Sequence, residues 1–134
     1  MKYRQSALLL CALLIGAVLA GCRQQEPEPV APENAAITIA VTVEPEPPAT
    51  GEAALIVTLT DPQGQPVAGA QVSARGDMTH PGMVPVLAEA ECDDTGRCDI
   101  PFEWTMGGDW IVDITATLPD GTAVTQRFEY RVGS

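Results

Sequence analysis

From residue 36 to the C-terminus, apolar side chains recur at every second position, the spacing of strands with one buried face. In "AITIAVTVE", Ala36 to Glu44, Ile37, Ile39, Val41 and Val43 alternate with small or polar residues. "ALIVTLT", Ala54 to Thr60, sets Leu55, Val57 and Leu59 on one side, and "AQVSARG", Ala70 to Gly76, follows the turn-forming "DPQGQPVAG". "VPVLAEAEC" (Val84 to Cys92), "RCDIPFEW" (Arg97 to Trp104), "DWIVDITATL" (Asp109 to Leu118) and "TAVTQRFEYRV" (Thr122 to Val132) complete a set of seven segments. Turn signals separate them at Asp94-Thr95-Gly96 and Pro119-Asp120-Gly121. Seven short strands at regular spacing predict an all-β fold, an immunoglobulin-like antiparallel β-sandwich. No helical stripe interrupts them, and with only six aromatic residues, aliphatic and small side chains are expected to fill most of the core.

The N-terminus breaks this pattern. Lys2 and Arg4 precede "ALLLCALLIGAVLA", an apolar run from Ala7 to Ala20 that reads as a secretory signal and is short for a permanent span. The run ends in "LAGC", Leu19 to Cys22, which resembles the lipobox of bacterial lipoproteins. That resemblance implies cleavage after residue 21 and acylation of Cys22, with enough acyl chains for stable attachment to a membrane. An uncleaved N-terminal anchor is the alternative. Residues 22–35 then hold the lipidated cysteine and "RQQEPEPVAPENA", a Pro- and Glu-rich tether expected to be disordered. Residues 36–134 form one domain with room for one core.

Loss of the signal changes the charge. Lys2 and Arg4 are two of the 7 basic residues, so five remain against 18 acidic ones, a net of −13. Such a surface repels phosphate backbones, which argues against nucleic-acid binding, and favours cationic partners as well as solubility as a monomer.

Of the 4 cysteines, Cys11 leaves with the signal and Cys22 takes lipid, which leaves Cys92 and Cys98 in "ECDDTGRC". A type I turn over Asp93 to Gly96, with Gly96 left-handed, sets Asp93 opposite Arg97 and Cys92 opposite Cys98. Facing side chains approach closely at such a non-hydrogen-bonded pair, and exported proteins keep disulfides, so a structural hairpin disulfide is expected. Its small loop limits its entropic contribution.

The candidate chemistry lies in "GDMTHPGM", residues 76 to 83, which holds the only histidine of the chain. Pro81-Gly82 suits the centre of a type II turn and would bring the Cα atoms of His80 and Met83 within about 7 Å. Met78, two residues before His80, shares its side if the segment is extended. Met106, in "WTMGGDW", follows the fifth strand. In an up-and-down reading the connections after strands three and five share one end, opposite the start of strand one and so away from the tether. Met78, His80, Met83 and Met106 would then converge as soft ligands for Cu(I), whose preference for thioether and imidazole survives in an oxidising compartment. The competing reading is that the methionines plug the mouth of the sandwich and His80 is hydrogen-bonded at its rim. Trp104 and Trp110, flanking Met106, are expected in the core.

These segments also resemble a known family. "DPQGQPVAGAQVSARGDMTHPGMVP" and "PFEWTMGGDWIVDITATLPDG", within about residues 50 to 132, are similar to YtkA-like/FixH-like extracytoplasmic domains of bacteria. The most telling parts are Gly64 to Val72, the methionine loop and "TMGGDW". The resemblance implies a β-sandwich and, through FixH-type members, copper supply or assembly of respiratory oxidases, with an envelope or respiratory-complex protein as partner. A lipobox in place of a membrane-spanning N-terminus departs from the FixH pattern.

An enzyme is not expected. One histidine excludes a multi-histidine centre, and G-x-S-x-G, P-loop and H-E-x-x-H patterns do not occur. Asp93 and Asp94 read as turn residues, Glu89 and Glu91 as a solvent face. Two functions remain: a lipid-anchored Cu(I) carrier facing the periplasm or another extracytoplasmic space, or a metal-free interaction module of the cell envelope.

Overall fold

The computed structural model describes residues 37–134. The expected signal segment 1–21, the expected lipidation site Cys22 and the expected tether lie outside the described residues. Seven strands follow in order: β1 Thr38–Glu44, β2 Gly51–Thr60, β3 Gln71–Met78, β4 Val86–Glu91, β5 Arg97–Trp104, β6 Gly108–Thr117 and β7 Ala123–Val132. They build two antiparallel sheets, β1-β2-β5 and β4-β3-β6-β7, and no helix occurs among the described residues. The expected immunoglobulin-like sandwich is therefore the fold.

Period two does what it predicts. In β5, Cys98, Ile100, Phe102 and Trp104 are buried while Arg97, Asp99, Pro101 and Glu103 are exposed. In β6 the buried set is Trp110, Val112, Ile114 and Ala116. These inner faces, with Leu55, Val57 and Leu59 of β2, form one core with no buried charged side chain among the described residues. The aromatic side chains are few but grouped. Trp104 lies 4.8 Å from Phe102, 5.3 Å from Trp110 and 5.5 Å from Tyr130, ring centre to ring centre, all edge-on. Edge-to-face packing of this kind adds to what burial alone contributes.

Strand ends differ from the sequence reading where partners or prolines decide. β2 starts at Gly51 because Gly51 pairs with Trp104, and β4 starts at Val86 because Pro85 has no N–H to donate. β3 runs two residues past Gly76, since Asp77 and Met78 pair with Ile111 and Trp110.

The hairpin at Cys92 and Cys98 is also more than a hairpin. Its turn is as expected: Asp93 N–H donates to the Arg97 carbonyl at 2.9 Å and Gly96 has φ +74°. The strands it joins, however, separate into different sheets, β4 beside β3 and β5 beside β2. The Cys92–Cys98 disulfide, almost fully buried, thus ties the two layers at one corner. Alternation along one segment carries no record of which sheet that segment joins.

Register fixes the two ends of the sandwich. Thr38 pairs with Thr60 and Thr58 with Arg97, so the first strand begins at the disulfide end. Gly51, Trp104, Met78, Gly108 and Val132 mark the other end.

Candidate functional site

That second end, the rim, is where the soft donors lie. The ladder sets Met78 opposite Trp110, and Thr79 N–H donates to the Asp109 carbonyl at 3.2 Å. The β3–β4 connection and the β5–β6 connection are thereby held side by side, as the odd-numbered loops of the sequence reading required. Gly82 has φ +96°, the left-handed geometry that the third position of a type II turn needs and that glycine supplies without steric cost.

The four candidate ligands are not equivalent. Met78 is the last residue of β3 and not a loop residue, and it is 7% exposed. Parity explains the correction: Val72, Ala74, Gly76 and Met78 all face inward, and strand pairing continues long enough to keep Met78 in that series. Met83 is half-buried against the core. His80 is exposed, and no side-chain hydrogen bond to it occurs among the described residues, unlike the hydrogen-bonded rim histidine of the competing reading. Met106 is 46% exposed, unusual for a large apolar side chain on this molecule. Its backbone is fixed, because the Trp110 indole N–H donates to the Met106 carbonyl at 2.9 Å.

Both tryptophans are buried, as expected, and form the floor of the rim. The Trp104 indole nitrogen is buried with no hydrogen-bond partner, in a ring that packs edge-on with Phe102, Trp110 and Tyr130. Burial also raises the Tyr130 phenol above its ordinary value, so it stays neutral. One rim element escaped the sequence reading. The segment after β1 folds over the end of the sheet, with Thr50 N–H donating to the Gly133 carbonyl and Gly133 N–H to the Pro48 carbonyl, both at 2.9 Å. The Pro-rich "EPEPPATG" signalled an irregular connection, but its docking against the C-terminus depends on β7 ending there.

The β3–β4 and β5–β6 connections supply soft donors. Among the described residues no three of His, Cys, Asp and Glu assemble as a metal-binding group. Nearby Asp77 and Asp109 are held by Arg75 and Arg131 at 2.8 and 2.6 Å. Thioether and imidazole remain accessible on these two connections, with the exposed carboxylates of Glu52 and Glu103 at the same end of the sandwich.

A family model described as YtkA-like matches residues 27–115. The chain belongs to the YtkA-like family. No curated protein matches it. Among solved structures, this YtkA-like chain is similar to the PmoD soluble domain of a Methylocystis species, at 19% identity over 72% of this chain and 90% of that one, with a TM-score of 0.46. It is similar to the Lin-41 filamin domain at 15% identity over 69% and 90%, TM-score 0.48. Murine CRIg matches at 15% identity over 72% and 96%, TM-score 0.40. The sandwich itself rests on the strand pairings above.

Proposed function

We propose that this YtkA-like protein is anchored to a membrane by lipid on Cys22, faces the periplasm or another extracytoplasmic space, and binds Cu(I) at its rim. The role this serves is copper handling or maturation of a respiratory oxidase, without catalysis, through contact with an envelope or respiratory-complex protein. One observation carries the reading: exposed Met106 stands on the loop held beside the one that presents exposed His80 and half-buried Met83. His80, Met83 and Met106 would be the accessible ligands, with Met78 beneath them next to Trp110. Thioether and imidazole suit a soft monovalent ion and are poor ligands for calcium or magnesium. Bound Cu(I) would supply a transferable cargo and no reaction.

The metal-free envelope module keeps one observation in its favour. Met78 and Met83 both contribute to the core, as gap-filling methionines do.

The deciding experiment is Cu(I) competition titration of the full chain in detergent against a chromogenic chelator. His80→Ala, Met83→Leu and Met106→Leu should each weaken binding, and the triple variant should abolish competition. Equal competition by wild type and triple variant would sink the copper reading in favour of the metal-free module.

A further inference from the structure

β4 and β5 are tied at the disulfide and then diverge, since each is the edge of a different sheet. Toward the rim a groove of about 390 Å³ opens between them, with Val86, Ala88, Pro101 and Phe102 along it and Glu52 and Glu103 at its lip. The two glutamates are directly opposite in the β2–β5 ladder, a like-charge pairing that costs stability unless a cation offsets it.

The β4 edge is open to hydrogen bonding. Cys92 N–H donates to the Ala70 carbonyl, and the alternation of an antiparallel ladder then turns the N–H and C=O groups of Leu87, Glu89 and Glu91 away from β3. The β5 edge is blunted. The Arg97 carbonyl accepts from Asp93 on the side away from β2, so by the same alternation Pro101 shows that side a missing donor. Beside the open edge stand Val84 and Leu87, 84% and 70% exposed, the two most exposed large apolar side chains among the described residues.

We infer that the β4 edge receives an extended segment of a partner protein in which Lys or Arg alternates with apolar residues. Such a strand extends the larger sheet over the groove. On its outer face the basic side chains meet Glu89 and Glu91, their aliphatic stems covering Leu87; on its inner face the apolar side chains fill the groove above Phe102. Charge selects this occupant. Every arginine of the described residues is already paired with an aspartate, Arg75 with Asp77, Arg97 with Asp99, Arg127 with Asp113 and Arg131 with Asp109. Glu52, Glu89, Glu91 and Glu103 make no such pair. A second copy, equally acidic, is repelled from this edge, as is the chain's own tether with Glu26, Glu28 and Glu33.

The test uses the full chain in detergent and a labelled synthetic peptide of alternating lysine and valine, with fluorescence anisotropy as readout. Binding is expected to weaken as salt rises and to fall about tenfold in Leu87→Ala and in Glu89→Lys, the scale of one interface anchor. His80→Ala should leave it unchanged, which separates this surface from the copper reading. No binding, equal binding of a glutamate-for-lysine peptide, or unchanged affinity in both β4 variants would overturn the proposal. So would self-association abolished by Leu87→Ala, or tighter peptide binding on deletion of residues 23–35, since these assign the edge to a second copy or to the tether.

Discussion

Trp110 holds Met106 in place: its indole N–H donates to the Met106 carbonyl at 2.9 Å from the strand that also sets Met78 opposite it. Core and rim are thus joined through one side chain. Trp110→Phe keeps an aromatic ring but removes the donor, and the loss of the hydrogen bond plus some buried area should cost about 1–3 kcal/mol. Urea unfolding checks this; an unchanged midpoint would show that the β5–β6 connection is held by other contacts.

Burial orders the methionines. Met106 is 46% exposed and Met78 only 7% exposed, so mild peroxide should oxidise Met106 first and Met78 last, with Met83 between. Peptide mass spectrometry over a time course reads the order. Preloading with Cu(I) should slow oxidation at Met106 and Met83 if the proposed ligands are right.

Gly96 is the tightest point of the Cys92–Cys98 corner. Its φ is +74°, and an added Cβ would lie 2.6 Å from the Leu59 carbonyl oxygen, a backbone atom that cannot swing aside. Gly96→Ala should therefore cost about 1–3 kcal/mol, more than substitution at an open left-handed glycine such as Gly121. Equal thermal midpoints for the two alanine variants would contradict this.

The disulfide spans 6 residues in sequence but joins two sheets. Loop closure alone makes it worth about 2 kcal/mol. Reducing it, or replacing Cys92 and Cys98 with alanine, should lower the urea midpoint accordingly, the alanine variant more because it also empties buried volume. Retention of the full midpoint after reduction would show that the layers are held without it.

Acid should weaken the outer face of the larger sheet. The Arg127 guanidinium, donating to Asp113 at 2.7 and 2.8 Å, holds that carboxyl below its ordinary value of 3.8, against a smaller opposing effect of burial. A depressed folded pKa contributes stability that is present above the unfolded value and is lost as pH falls through the folded one. The gap in urea midpoint between wild type and Asp113→Asn should therefore be open at pH 7 and close below about pH 4. A gap that persists in acid would mean that the pair is not its source.

Much of the fold was legible because its cause is local. Alternation in "RCDIPFEW" names every inward residue of β5, and "DDTG" names its turn. The site was legible in content but not in arrangement. That Met78, His80, Met83 and Met106 share an end follows from counting strands, and the ladder agrees. That Met78 turns inward does not follow, because strand length is set by pairing with Asp109 and Trp110 across the sheet.

The sequence alone determined strand number, inward and outward faces, the left-handed glycines at 82 and 96 and the choice of cysteines, all consequences of side-chain period and turn sterics over a few residues. Tertiary structure decided the rest: that β4 and β5 part into different sheets, that a short-range disulfide joins two layers, that the aromatics gather under the rim, and that one methionine is buried while another faces solvent. Those outcomes depend on which strand lies beside which, a competition among long-range pairings in which every segment carries the same alternation.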